Sequence, residues 1–140
     1  HATIRRQRQM CIRDSQRLEW HRELGHRLVL VTATVMPMAQ AMSDYLGMDA
    51  VYGCGPEKMT GIMSGSERGW SVPRRKGKVP IVESDAANLG HDLSDCWGYG
   101  NTHADSFFMS ITGNPVAVNA EGRLKTIAKE KDWLQFEWRV

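Results

Sequence analysis

The residues best suited to chemistry lie in one loop, Gly98-Tyr99-Gly100-Asn101-Thr102-His103-Ala104-Asp105. A short apolar stretch, Cys96-Trp97, precedes it, and a helix-like run from Ser106 to Thr112 follows. A glycine-flanked polar residue with an aspartate four positions on is the pattern of a magnesium site at the end of a parallel strand. Magnesium takes hard oxygen donors, few of them from protein, and leaves room for water and phosphate. The chemistry this predicts is phosphoryl transfer, in which the phosphoryl oxygens are held and their charge neutralised.

Two other positions could serve that chemistry. Thr32 follows a short apolar run, where its hydroxyl could donate to a phosphoryl oxygen with the Ala33 N–H as a second donor. The alternative for Thr32 is a cap on the helix that follows. Lys78 begins a helix and could neutralise a phosphoryl oxygen; alternatively it is one more solvated member of the basic run Arg74, Arg75, Lys76. Asn101 and Asp105 could hold magnesium directly or through water. Asp105 could equally serve its helix as an N-terminal carboxylate favoured by the macrodipole.

The surrounding pattern shows what must position these groups. Residues 16–25 fit the last turns of an amphipathic helix closed by Gly25. Arg27-Leu28-Val29-Leu30-Val31 is too short for a helix and reads as a buried strand, ended by Thr32-Ala33-Thr34. Pro37 opens a helix that Gly47 closes. A strand is predicted over 49–52, a glycine- and serine-rich excursion over 53–69, and a basic loop over 74–78. A helix is predicted over 79–89, a strand over 95–99, a helix over 103–112 and a strand over 115–118. A helix over 121–131 and a final strand over 134–138 complete the chain. Alternating strands and helices predict a parallel α/β sheet covered on both faces, with ligands outside the strand carboxyl ends. Thr32 and Asn101 are therefore expected to converge.

In order and spacing these segments resemble the haloacid-dehalogenase superfamily of phosphohydrolases, in its phosphoserine-phosphatase-like branch. Val31-Thr32-Ala33-Thr34 resembles the second motif, Gly77-Lys78-Val79 the third, and Tyr99 to Asp105 the fourth. Gly113-Asn114-Pro115-Val116-Ala117-Val118-Asn119 resembles the stretch after the fourth motif. The resemblance implies a three-layer Rossmann-like fold and Mg2+ as cofactor. It implies Thr32 and Lys78 as catalytic residues, Thr32, Ala33 and Lys78 as phosphate binders, and Asn101 and Asp105 as metal ligands. The implied substrate is a small phosphomonoester such as phosphoserine, or a lipid phosphate.

Two departures stand out. The family pattern has Asp where this chain has Asn101, so one negative charge is lost. The family's nucleophile belongs to an Asp-x-Asp pair that attacks phosphorus to give an aspartyl-phosphate. The aspartates here are at 14, 44, 49, 85, 92, 95, 105 and 132, none two residues from another. The expectation is an incomplete sheet, lacking its first strand and most of a helical cap. Residues 16–26 would be the cap's tail and 27–140 the carboxyl-terminal part of the core. Such a fragment is expected to lack activity and to fold poorly alone.

Residues 1–15 fit that expectation. Arg5-Arg6-Gln7-Arg8-Gln9-Met10-Cys11-Ile12-Arg13-Asp14-Ser15 resembles a translated sequencing adapter, and such a segment is expected to be no part of the fold. The alternative is a natural basic arm, and a nucleic-acid-binding role would rest on it alone. Beyond residue 15 the chain carries 14 basic and 15 acidic side chains, so no nucleic-acid partner is expected of the body. Cys11, Cys54 and Cys96 show no paired spacing and read as free thiols of a reducing, cytoplasmic compartment. No run approaches a membrane span. His21, His26 and His91 read as surface residues, and Trp133 and Trp138 as packing for the last strand.

Overall fold

The computed structural model describes residues 13, 15–54 and 77–138. The chain divides into two compact units, one from Asp14–Arg74 and one from Arg75–Val140 together with His1–Arg13. The glycine- and serine-rich excursion after Cys54, the start of the basic loop and the N-terminal arm lie outside the described residues.

The first unit starts with helix α1 over residues 15–23. It ends because Gly25 turns left-handed, with φ of 77°. The Gly25 N–H then bonds the Arg22 carbonyl at 2.9 Å and the His26 N–H bonds the His21 carbonyl at 3.0 Å. Strand β1, Val29–Val35, runs parallel to β2, Ala50–Cys54. Helix α2, Met36–Leu46, connects them, with Pro37 in its first turn and left-handed Gly47 at its end. The α2 face against the sheet is built from small residues, Ala39 and Ser43, one turn apart and buried. Gly53 completes that close approach: a Cβ there would lie 2.9 Å from Ala39 Cβ, Met36 Sδ and the Thr34 carbonyl oxygen.

The second unit begins with α3, Lys78–Asn88, and a 3-10 turn at Leu93–Asp95. Strand β3, Trp97–Gly100, leads through a 3-10 turn at His103–Asp105 into the short α4, Ser106–Met109. Then come β4, Asn114–Val118, α5, Gly122–Glu130, and β5, Leu134–Phe136. The three strands form a parallel sheet in the order β3-β4-β5. Central β4 tolerates Pro115 because its pairing with β5 starts one residue later, at Val116 opposite Leu134. Leu124 and Ala128, one turn apart on α5, pack with Met109, Ala117 and Ala120 into the core, flanked by Phe108 and Trp133.

All described strand pairs are parallel, as the alternation of elements predicts. They pair as two sheets rather than one. Among the described residues β1 pairs only with β2, and β3 only with β4, so each keeps an open edge.

Candidate functional site

Strand β3 delivers the loop. Its even positions, Gly98 and Gly100, pack against Met109 of α4, with Thr112 over Gly98 and Asp105 over Gly100. A Cβ on Gly100 would stand 2.5 Å from Asp105 Cβ and 2.7 Å from Met109 Sδ. Glycine is thus what lets the chain fold back after residue 100 and lay Asp105 against the end of β3.

Lys78 is the first residue of α3. Its Nζ donates to Asp105 Oδ1 at 2.7 Å, and the two side chains are only 12% and 13% exposed. The other carboxylate oxygen accepts the Asn101 backbone N–H at 3.3 Å and the Thr102 hydroxyl at 3.4 Å. The Phe108 ring lies under the ammonium, 5.6 Å from Nζ to its centroid, which favours a cation there. The lysine is therefore not a solvated member of the basic run. Asp105 makes no side-chain cap to α4; Lys78 and the loop itself hold its carboxylate.

Asn101 is exposed at the loop tip. Its amide oxygen and the Asp105 carboxylate are hard donors of the type magnesium takes, and one or two such groups with water and phosphate are what it commonly uses. The donors fit in kind. Among the described residues no group of three or more His, Cys, Asp or Glu side chains could hold a metal.

Thr32 and Ala33 belong to the first unit. The sequence expectation ended the strand at Thr32; β1 instead runs on to Val35. Its register slips between Val31 and Val35, where four steps along β1 match two along β2. The physical cause is local. Thr32 Oγ1 accepts the Thr34 N–H at 3.1 Å and donates to Thr34 Oγ1 at 3.0 Å, offering the backbone an alternative to the ladder. Ala33 is pushed outward and exposed. The helix-capping alternative for Thr32 fails, because Val35 is the N-cap of α2 and no side chain caps it.

Sequence reasoning missed the Thr102 contact, which its three-residue spacing from Asp105 could have suggested, and the Phe108 ring beside Lys78, which no local spacing signals. It also placed His21 on the surface, where the structure leaves it 4% exposed. The αL turn at Gly25 brings His26 back onto it, with the two Nδ1 atoms 2.8 Å apart. Burial, the neighbouring His26 and the Arg17 charge together push the His21 pKa down to about 4. His91 is exposed, as expected.

Residues 15–109 match the family model described as haloacid dehalogenase-like hydrolase. The chain is 30% identical over 122 residues to the phosphoserine phosphatase SerB1 of Mycobacterium tuberculosis, covering 87% of this chain and 39% of that protein. It is 25% identical over 120 residues to an inhibition of morphological differentiation protein of Streptomyces azureus, covering 83% of this chain and 42% of that protein. The chain thus spans about two fifths of the length of the curated relatives it matches. Among solved structures, a Bordetella pertussis protein of unknown function superposes with TM-score 0.80 at 24% identity, over 91% of this chain and 58% of that one. A phospho-aspartyl intermediate analogue of phosphoserine phosphatase superposes with TM-score 0.70 at 20% identity, over 89% and 57%. These likenesses show a Rossmann-like α/β fold. The family match, which covers more than half of the residues, establishes the membership: the chain belongs to the haloacid dehalogenase-like hydrolases.

Proposed function

We propose that these residues form the carboxyl-terminal core of a magnesium-dependent phosphomonoester hydrolase. The observation that carries the reading is the Lys78–Asp105 pair, a lysine held almost out of solvent at the end of a parallel strand. In this reading Thr32 and Ala33, and separately Lys78, are phosphate-handling groups. The Thr32 hydroxyl and the Ala33 N–H donate to phosphoryl oxygens, and Lys78 offsets the negative charge that gathers there. Asp105 keeps the ammonium aimed, and Phe108 supports it from below.

Magnesium, held by Asn101 and Asp105, would supply further charge neutralisation at the phosphoryl oxygens. Asn101 gives that site one charge less than an aspartate would, and weaker metal affinity follows. The nucleophile is the part this sequence lacks, since it contains no Asp-x-Asp pair. In the whole protein such a carboxylate would attack phosphorus, the substrate alcohol would leave with a proton, and water would then release phosphate. The substrate class is a small phosphomonoester, with phosphoserine and lipid phosphates as candidates, and the setting is cytoplasmic. Among the described residues no helix is long and apolar enough to cross a membrane.

The test is hydrolysis of p-nitrophenyl phosphate with and without magnesium, by the whole protein and by the 140 residues alone. Magnesium-dependent release by the whole protein only is the expected result; release by neither would overturn the reading. The missing Asp-x-Asp pair favours a second reading, a nucleophile-free binding protein of the same fold. It predicts phosphate binding without turnover in the whole protein.

A further inference from the structure

The proposed chemistry uses the loop that follows the carboxyl end of β3. The amino ends of β3, β4 and β5 hold a cavity of about 440 Å3 that this chemistry leaves unused. Trp97, Asn114 and Leu134 line it, and each is the first residue of its strand. Lys131, Asp132 and Trp133, which join α5 to β5, line it too. Its volume is within the range of small-molecule sites.

The joint between α5 and β5 builds the charged part of this lining. The Trp133 N–H returns to the Ala128 carbonyl at 2.8 Å, and the Asp132 N–H to the Lys129 carbonyl at 3.4 Å, the paired bonds of a Schellman cap. Such a cap needs a left-handed residue, and Asp132 takes φ of 55°. The ends of α1 and α2 place Gly25 and Gly47 in that conformation, where no Cβ is strained. The end of α5 carries a carboxylate there instead. The cap also packs Trp133 against the core that holds Ala128, and Lys131 Nζ lies over the Trp133 ring, 5.5 Å from its centroid. An ammonium and a carboxylate on consecutive residues thus border one cavity beside two tryptophans. Among the described residues they form no ion pair, with each other or with a third group.

Opposite charges on neighbouring residues match a ligand whose own two charges are one carbon apart. A ligand with a single charge would desolvate one of the two groups and return nothing to it. The tryptophans suit an apolar side group, whose surface they would remove from water. We propose that this cavity binds a free apolar α-amino acid, its carboxylate paired with Lys131, its ammonium with Asp132, and its side chain against Trp97 and Trp133. The inference stands independently of the phosphatase reading, since none of these residues belongs to the phosphate-handling groups.

Calorimetric titration of the full 140-residue chain with L-phenylalanine tests it. Phenethylamine and 3-phenylpropionate serve as analogues that keep only the ammonium or only the carboxylate. L-Phenylalanine should bind saturably at a single site. Each analogue should bind about fivefold more weakly, the upper range of one exposed ion pair. Asp132→Gly and Lys131→Gln should each weaken L-phenylalanine binding by a similar factor. Glycine suits φ of 55°, so Asp132→Gly should melt no lower than the parent, which separates lost binding from lost folding. Lys131→Gln, at an exposed position, is the second check. No saturable binding by the unsubstituted chain, equal binding of either analogue, or undiminished binding in either variant would each overturn the amino-acid site.

Discussion

Lys78 Nζ lies 2.7 Å from Asp105 Oδ1, although 27 residues separate the two in the chain. Each side chain keeps about an eighth of its surface in water. Removing either partner strands the other's charge in a largely desolvated place. Lys78→Met or Asp105→Asn should each lower stability by about 3 kcal/mol. The double variant Lys78→Met/Asp105→Leu should lose less than the two single effects added together, because no charge is left unpaired. Urea unfolding of the four proteins measures this; strict additivity would show that the two groups do not interact.

Gly100 has no room for a side chain. Gly100→Ala places a methyl group 2.5 Å from Asp105 Cβ and 2.7 Å from Met109 Sδ. The loop must then move, at a cost of about 1–3 kcal/mol. The Lys78–Asp105 contact should loosen with it, seen as faster acetylation of Lys78 mapped by mass spectrometry. Unchanged stability and unchanged labelling would contradict the packing described for α4 on β3.

Thr32 holds the irregular turn of β1 through its hydroxyl. Thr32→Val keeps the shape but leaves the Thr34 N–H without that acceptor, at a cost of about 1 kcal/mol. Thr32→Ser should retain most of the stability. Thermal unfolding ranks the three, and Val equal to Thr would show that the hydroxyl bond is not formed.

Acid should weaken the first unit through His21. Its folded pKa, about 4, lies below the ordinary 6.5, so between those values the unfolded chain binds more protons. Stability from this group is full above about pH 6.5 and lost as pH falls toward 4. His21→Gln should flatten that part of the stability–pH profile. An unchanged slope in the variant would assign the acid sensitivity to other groups.

The local elements that carry the candidate residues could be read before the fold was seen. Gly-Asn-x-x-x-Asp after a strand, and a lysine opening a helix, are local patterns, and local backbone rules place them where the structure has them. The parts that escaped reading are those made by distant or subtle contacts. Nothing in the sequence says that Lys78 reaches Asp105 rather than solvent, because the intervening chain decides it. Thr32 looked like a strand end because its neighbours turn polar, whereas its own hydroxyl bends the strand and lets it continue to Val35. His21 looked exposed among charged neighbours until the left-handed Gly25 folded His26 back over it.

The most direct test of the central claim is magnesium-dependent hydrolysis of p-nitrophenyl phosphate by the whole protein, with and without Lys78→Ala. If Lys78 neutralises the phosphoryl group, the variant should lose on the order of 10² to 10³ in kcat while its circular dichroism shows a folded protein. A folded Lys78→Ala variant with undiminished kcat would contradict the account.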